Sequence, residues 1–471
     1  MYADDLGYGD LSCYGAINVK TPNIDKLAKN GLRFTDAHSA AATCSPSRYS
    51  LLTGRHGFRK KAGILSGDAP LMINPETPTL PGMLKKAGYK TGVIGKWHLG
   101  LGNGQLDWNK EIKPGPLEIG FDYSFLIPAT GDRVPTVYVE NHYVVGLDSI
   151  SDPITVDFKN PIDNAPKAYE HPDLLRYASD RQHGEAIVNG IGRIGYMSGG
   201  NSARWKDEEF PDLLTDKASA FIDKNKEQPF FLYYSFHDIH VPRLPNPRFK
   251  GTTNMGPRGD AIVQMDWCVG QLVKKLEKLG LAENTLILFT SDNGPVLNDG
   301  YEDQSVELIG NHKPSGPFRG GKYSAYEAGT RMPTIAYWPK KIEKGVSNSL
   351  LSQIDLYASF ASLVEQKITE NEAPDSQDLL LTWIGKSKKG RDVLLEESLV
   401  VSIRKGKWKY IPETDKNTDY WLLQKGIEGG FQKTPQLFNL IDDPGELNNI
   451  VDEYPTISNK LALELKELTK H

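Results

Sequence analysis

One apolar stretch constrains the fold of this chain more than any other: Phe-Phe-Leu-Tyr-Tyr-Ser-Phe at positions 230–236. A nearly unbroken apolar run of this length is typical of a strand that is buried on both faces of a helix-covered sheet. Shorter runs at 90–94 and 285–290 repeat the pattern, and amphipathic helices are predicted at 212–226 and 258–279. The alternation predicts an α/β fold with a large, mostly parallel mixed sheet sandwiched by helices.

A chain of 471 residues is too long for one ordinary core, which indicates a large α/β domain and a smaller one. The pattern changes near residue 385: a hairpin is predicted at 400–411, and a closing helix begins near 454. We therefore expect a main domain over 1–385 and a small C-terminal α+β subdomain over 386–471.

Residues 103–205 show no α/β alternation and are rich in proline, glycine and aromatic residues. A loop region of this length is usually functional or disordered, and its aromatic content argues against disorder. We interpret it as an insertion that forms the wall of a substrate cleft. The side chains that could meet a sugar there, with a solvated loop role as the equal alternative for each, are Asp132, Arg133, Tyr138, Asn141 and His142.

The composition excludes several classes of protein. Lysine and arginine number 55 against 60 acidic residues, so the formal charge of −5 argues against a nucleic-acid partner. No apolar run is long enough to span a bilayer. Three cysteines, Cys13, Cys44 and Cys268, allow at most one disulfide and form no disulfide framework.

The segment Cys44-Ser-Pro-Ser-Arg48, followed by Tyr-Ser-Leu-Leu-Thr-Gly54, carries the chemistry. Pro46 suits the first turn of a helix and Gly54 its end, which places Cys44 at a helix N-terminus, where anions are favoured. Arg48 lies one turn further along, and its guanidinium group can bind an oxyanion with two N–H groups. For an isolated cysteine, a buried structural role would be the usual interpretation.

Polar side chains also follow the predicted strands. Asp4 and Asp5 lie at one predicted strand end and Asp292-Asn293 at another, and oxygen ligands of this kind suit Ca²⁺ or Mg²⁺. In open α/β sheets, ligands bind beyond the carboxyl ends of strands. The basic and imidazole groups in such positions or on a glycine-rich loop are Lys96, His98, His237, His240 and Lys322.

Together these elements resemble the type I, formylglycine-dependent sulfatases of the alkaline phosphatase superfamily, and they occur in family order over nearly the whole chain. The resemblance implies an alkaline phosphatase-like fold and hydrolysis of a sulfate ester. It also implies conversion of Cys44 to Cα-formylglycine by a formylglycine-generating maturation enzyme. The implied metal is Ca²⁺ in preference to Mg²⁺, with Asp4, Asp5, Cys44, Asp292 and Asn293 as ligands. The implied catalytic residues are Cys44, Arg48, Lys96, His98, His240 and Lys322, with His237 as support.

The loop with Gly131-Asp132-Arg133 and the stretch 312–322 are similar to those of bacterial polysaccharide sulfatases. The resemblance therefore implies a sulfated galactose or N-acetylgalactosamine substrate. It also implies a periplasmic or secreted protein, whose signal peptide and part of the first strand we expect to be absent from this sequence. Two alternatives stay open: a phosphodiester or phosphonate ester hydrolase of the same superfamily, and a glycan-binding pseudoenzyme with unconverted Cys44.

Overall fold

The computed structural model describes residues 1–104, 106–163, 165–369, 371–415 and 420–470. In chain order, its strands are β1 (Tyr2–Ala3), β2 (Leu32–Phe34), β3 (Ala37–His38), β4 (Lys90–Lys96), β5 (Tyr123–Ile127), β6 (Val139–Glu140), β7 (Tyr143–Val144), β8 (Thr155–Asp157), β9 (Ala186–Val188), β10 (Ile191–Arg193), β11 (Tyr196–Ser198), β12 (Phe230–Ser235), β13 (Ile287–Ser291), β14 (Thr334–Tyr337), β15 (Gly345–Ser347), β16 (Leu351–Ser352), β17 (Val393–Glu397), β18 (Val401–Lys405), β19 (Trp408–Ile411) and β20 (Gln436–Asn439). Its α-helices are α1 (Pro22–Asn30), α2 (Cys44–Thr53), α3 (Leu80–Lys86), α4 (Phe210–Asn225), α5 (Gly256–Lys278), α6 (Leu356–Leu363), α7 (Leu380–Trp383), α8 (Tyr420–Gln424) and α9 (Pro455–Leu468).

The chain forms two compact units, each assembled from separate stretches of sequence. Unit 1 comprises Met1–Asp4, Leu65–Thr285 and Asn298–Gly310, and unit 2 comprises Asp5–Ile64, Leu286–Leu297 and Asn311–His471. The first boundary falls between Asp4 and Asp5, which are consecutive in the chain. The expected domain division at 385/386 stays a prediction.

Unit 1 contains a sheet in the strand order β1-β12-β4-β5-β6-β7. Its first four strands run parallel, with Tyr2 opposite Ser235 and Ser235 opposite Gly95. Strands β6 and β7 are antiparallel additions. Because the carboxyl ends of parallel strands meet at one edge, the residues that follow β1, β12 and β4 lie close together.

Helices α3 and α4 pack against β4, and α5 packs against α4. The predicted strand at 230–236 and the helices at 212–226 and 258–279 are confirmed to within two residues at each end. The region 103–205 is largely irregular, as expected, but the sequence interpretation missed β5. That strand pairs parallel with β4 and therefore belongs to the sheet rather than to a cleft insertion.

Unit 2 contains a mixed sheet in the order β15-β2-β14-β13, in which β14 is antiparallel to both of its neighbours. Helix α1 packs against β14 and β2, and helix α2 packs against α6. Strand β13 ends at Ser291, directly before Asp292 and Asn293. This element was predicted from the apolar run at 285–290.

The C-terminal part of unit 2 is a four-stranded antiparallel sheet, β17-β18-β19-β20, covered by α9. Its core consists of Leu395, Ile403, Tyr410, Leu437, Leu461 and Leu465. The predicted fold class, a mixed and mostly parallel sheet with helices and a small C-terminal α+β element, is confirmed. Within the described part of the chain, no helix combines the length and the hydropathy that crossing a membrane requires.

Candidate active site

Cys44 is the first residue of helix α2 and is buried, with 1% of its surface exposed. The helix ends where the sequence predicted: Gly54 has φ = +63°, and its N–H donates to the Ser50 carbonyl at 2.9 Å. Glycine adopts this left-handed conformation at no steric cost. The predicted position of Cys44 at a helix N-terminus is therefore confirmed.

Arg48 lies one turn into α2, and its guanidinium group holds one carboxylate. Its Nε and Nη2 atoms donate to Asp292 Oδ2 at 3.0 and 2.7 Å, and both side chains are fully buried. Asp292 Oδ1 in turn accepts the backbone N–H of Asp5 at 3.3 Å. Arg48 thus fixes the orientation of one predicted metal ligand.

The other polar groups of unit 2 converge on Asp5. Asn293 Nδ2 donates to Asp5 Oδ1 at 2.7 Å, and Lys322 Nζ lies 2.9 Å from Asp5 Oδ2. A carboxylate oxygen of Asp5 and the Sγ atom of Cys44 lie within 4.8 Å of each other. Residues that are up to 317 positions apart in the sequence are therefore brought together.

The unit 2 cluster fits a hard cation. Asn293 is fully buried, and its Oδ1 atom has no hydrogen-bond partner among the described residues. Leaving a buried carbonyl oxygen unsatisfied costs about 1–3 kcal/mol, which a bound ligand would offset. Carboxylate and amide oxygens from Asp5, Asp292 and Asn293 are the donors that Ca²⁺ prefers.

Unit 1 holds the remaining predicted residues. Lys96 Nζ and Asp4 Oδ2 form an ion pair in which both side chains are fully buried. A carboxylate oxygen of Asp4 and a ring nitrogen of His240 lie within 4.8 Å of each other. Asp4, Lys96 and His240 are thus one buried cluster at the end of the parallel strands.

Hydrogen bonds to backbone carbonyls fix the tautomers of both predicted catalytic histidines. His240 Nδ1 donates to the Val241 carbonyl at 2.6 Å, and His98 Nε2 donates to the Leu65 carbonyl at 3.0 Å. The ring nitrogen that faces a carbonyl must carry a proton. The ring nitrogens that do not face these carbonyls are Nε2 of His240 and Nδ1 of His98.

His237 is a neutral, buried neighbour of His240, with ring centroids 5.9 Å apart. Burial, together with the positive charge of Lys96, lowers the pKa of His237 to about 3. Its Nε2 has no hydrogen-bond partner among the described residues, and a Cβ atom added at Gly131 would lie 2.4 Å from it. His237 thus packs beside His240 and Gly131, and its supporting role stays a prediction.

Three of the five residues expected to contact a sugar are engaged in local structure. Tyr138 is buried against Phe125, Trp205 and Phe210. Asn141 has φ = +54°, and its Oδ1 accepts the backbone N–H of Ser124 at 3.1 Å. His142 Nε2 lies 2.9 Å from Glu118 Oε1. These contacts favour the structural alternative for Tyr138, Asn141 and His142.

Asp132 and Arg133 belong to a charged group that also contains a residue the sequence analysis missed, His183. Arg133 Nη1 lies 2.7 Å from Asp132 Oδ1, and His183 Nε2 lies 3.5 Å from Asp132 Oδ2. Burial opposes ionisation of Asp132, but the charges of Arg133 and His183 hold its pKa well below the usual range. Burial also opposes protonation of His183, yet hydrogen bonds with Asp132 and Asp180 raise its pKa to about 9.

Comparison with known proteins decides the family. Residues 2–366 match the family model described as Sulfatase. The chain belongs to the sulfatase family. Its predicted identity as an enzyme that hydrolyses sulfuric esters is thereby confirmed.

This sulfatase is 49% identical to N-acetylgalactosamine-6-O-sulfatase of Bacteroides thetaiotaomicron, in an alignment that covers 100% of the chain and 92% of the relative. It is 31% identical to human arylsulfatase A, covering 99% of the chain and 86% of that protein. A solved structure from a study of glycosaminoglycan metabolism by B. thetaiotaomicron is 48% identical and superimposes with a TM-score of 0.98. That match covers 100% of this chain and 98% of the other. The predicted resemblance to bacterial polysaccharide sulfatases is confirmed.

Proposed function

We propose that this sulfatase removes the 6-O-sulfate group from N-acetylgalactosamine units of a sulfated glycan. The observation that carries the proposal is the 49% identity, over the whole chain, to an enzyme described by that activity. The residues that the sequence analysis singled out, from Cys44 to Lys322, provide the matching chemistry. A periplasmic or secreted location is part of the proposal, because large sulfated polymers are met outside the cytoplasm.

Residue 44 is proposed to act as Cα-formylglycine, made from Cys44 by a maturation enzyme. In its hydrated form, this group supplies a nucleophilic oxygen and a second hydroxyl group that allows sulfate to be released. The buried Cys44, at the start of a helix and close to Asp5, is suited to that role because a helix N-terminus stabilises negative charge.

A calcium ion is the proposed cofactor, with Asp4, Asp5, Asp292 and Asn293 as ligands together with residue 44. When bound, Ca²⁺ supplies positive charge that polarises a sulfate oxygen. The unsatisfied Oδ1 of Asn293 supports this assignment.

Basic side chains hold each proposed carboxylate ligand in place. Lys96 pairs with Asp4, Lys322 with Asp5, and Arg48 with Asp292. With the carboxylates already balanced by these three cations, the charge of a bound metal would leave a net positive environment for a sulfate anion. A sulfate anion that is removed from water needs such positive charge around it, because burying an unpaired charge is costly.

Two histidines are proposed to move protons. His240, through Nε2, donates a proton to the sugar oxygen as the S–O bond breaks. His98, through Nδ1, accepts a proton when sulfate is released from residue 44. Each imidazole is held in the required tautomer by its carbonyl contact.

The test is a desulfation assay on enzyme whose residue 44 has been shown by peptide mass to be converted. N-acetylgalactosamine 6-sulfate should be hydrolysed with a higher kcat/KM than the 4-sulfate isomer, N-acetylglucosamine 6-sulfate or an aryl phosphodiester. The control is Cys44→Ala purified in parallel. A preference for the phosphodiester would support the alternative esterase function. Glycan binding without turnover, by protein from its native host in which peptide mass shows residue 44 to be unconverted, would support the pseudoenzyme.

A further inference from the structure

The segment that carries Cys44 is held at both of its ends by a single residue, Glu397, at the end of strand β17. On the N-terminal side, Ala42 N–H donates to the Glu397 carbonyl at 2.7 Å, and Glu397 N–H donates to the Ala40 carbonyl at 3.1 Å. These two bonds fix the backbone two to four residues before Cys44. The C-terminal sheet is therefore joined directly to the approach to helix α2.

On the C-terminal side, the Glu397 side chain reaches the turn that follows α2. A Cβ atom added at Gly57 would lie 3.1 Å from Oε2 and 3.2 Å from Oε1 of Glu397. Burial raises the pKa of Glu397 to about 8, and the neighbouring backbone N–H groups of Phe58 and Gly57 offset this shift only in part. Only 6% of the residue is exposed. Its Oε2 atom has no hydrogen-bond partner among the described residues, so the buried carboxyl group acts on this turn by packing.

The contact between this turn and the start of α2 is close. A Cβ atom added at Gly57 would lie 3.0 Å from Pro46 Cβ and 3.1 Å from Glu397 Oε2. Pro46 is two residues from Cys44 in the first turn of the helix. The Gly57 turn therefore packs directly against the first turn of α2, which begins at Cys44.

The same backbone continues to a second proposed catalytic residue. Tyr323 N–H donates to the Ala42 carbonyl at 2.7 Å, so Ala42 is bound by Glu397 through its N–H and by Tyr323 through its carbonyl. Tyr323 directly follows Lys322, whose Nζ pairs with Asp5. Backbone hydrogen bonds from Ala42 to Glu397 and from Tyr323 to Ala42 thus connect the C-terminal sheet to the Lys322 loop.

We propose that Glu397 is a positioning residue for sulfate-ester hydrolysis, which holds the segment 40–58 so that residue 44 and Lys322 keep their places around Asp5. The inference rests on the proposed function of Cys44, and it gives the C-terminal sheet a part in the reaction. Glu397 itself contacts no substrate. Its loss should lower kcat and leave KM nearly unchanged, because nucleophile placement governs the chemical step.

The test compares Glu397→Ala, Glu397→Gln and Gly57→Ala with the wild-type enzyme, and rates are normalised to the converted fraction of residue 44. Glu397→Ala should lose about tenfold or more in kcat, since small misplacements of reacting groups are costly. Glu397→Gln keeps the length and shape of the side chain, so it packs against the Gly57 turn as the neutral carboxyl group does, and it should restore kcat to within about threefold of wild type. Gly57→Ala keeps the carboxyl group but crowds Pro46, and it should lower kcat as well.

The matched control is Glu464→Ala, which removes the ion pair between Lys405 and Glu464 elsewhere in the C-terminal subdomain. It should leave both kcat and KM unchanged. A second readout needs no activity: hydrogen exchange of peptides spanning residues 40–58 should be faster in Glu397→Ala than in wild type or in the control.

Each outcome decides the proposal. Wild-type kcat in converted, folded Glu397→Ala overturns it, as does unchanged hydrogen exchange over 40–58. A lower Tm with an unaltered kcat would also overturn it, because the residue would then act on stability alone. If wild-type enzyme hydrolyses no sulfate ester, the proposed function fails, whereas the exchange measurement still decides whether Glu397 holds the segment.

Discussion

Replacement of Arg48 by lysine isolates the geometry of the buried ion pair from its charge. Arg48 donates from Nε and Nη2 to the same oxygen of Asp292, at 3.0 and 2.7 Å, and neither side chain is exposed. Lysine keeps the positive charge, so Arg48→Lys avoids the cost of about 3–5 kcal/mol that accompanies an unpaired buried carboxylate. It can replace at most one of the two charge-assisted bonds, each worth about 1.5–3 kcal/mol.

The expected loss is therefore about 2 kcal/mol, which corresponds to a decrease of about 10- to 100-fold in kcat/KM if Asp292 must keep its orientation in the transition state. The assay is desulfation of N-acetylgalactosamine 6-sulfate by fully converted enzyme, with Tm measured on the same preparations. The matched control is Arg248→Lys, which breaks a similar two-bond contact with Asp212 at the surface of unit 1. A kcat/KM for Arg48→Lys within about threefold of wild type would refute the reasoning.

Three further predictions concern single residues. Cys44→Ala should abolish turnover without unfolding the protein, as judged by circular dichroism and by sulfate release, and substantial remaining activity would contradict the nucleophile assignment. Lys322→Ala should raise KM and lower kcat, because Lys322 neutralises Asp5 and is proposed to contribute charge for sulfate. Steady-state kinetics that show unchanged KM would limit its role to Asp5. Burial raises the pKa of Glu397 from 4.5 to about 8, so the folded state binds the extra proton between these values and the free energy of unfolding should fall as pH rises through that window. Relative to Glu397→Gln, urea unfolding of wild type should show this fall at up to about 1.4 kcal/mol per pH unit, and parallel pH profiles would contradict the raised pKa.

Local signals in the sequence were sufficient to place the main elements of the site. Pro46 favours the first turn of a helix and Gly54 favours its end, and α2 begins and ends accordingly. The apolar run before Asp292 predicted a buried strand. Ligands of open α/β sheets bind beyond the carboxyl ends of the strands, so the polar side chains that follow this run were predicted to be ligands. These features depend on residues within a few positions of one another.

Features that depend on tertiary pairing were not visible in the sequence. Strand β5 was missed because its short apolar run lies among prolines and glycines, and only its pairing with β4 identifies it. His183 gave no signal, since its partner Asp132 is 51 positions away and the pair is defined by burial. Likewise, nothing in the sequence around Glu397 indicates that it holds a segment more than 300 residues earlier.

The measurement that tests the central claim most directly is the mass of the peptide containing position 44 in the variant Cys44→Ser after incubation with N-acetylgalactosamine 6-sulfate. A serine hydroxyl group can attack sulfur, but it offers no second hydroxyl group to expel the sulfate, so the product ester should persist. The account predicts a peptide heavier by one SO₃ group, with one equivalent of desulfated sugar released per enzyme molecule. An unmodified peptide, in a variant that nevertheless turns over sugar sulfate repeatedly, would show that residue 44 is not the nucleophile.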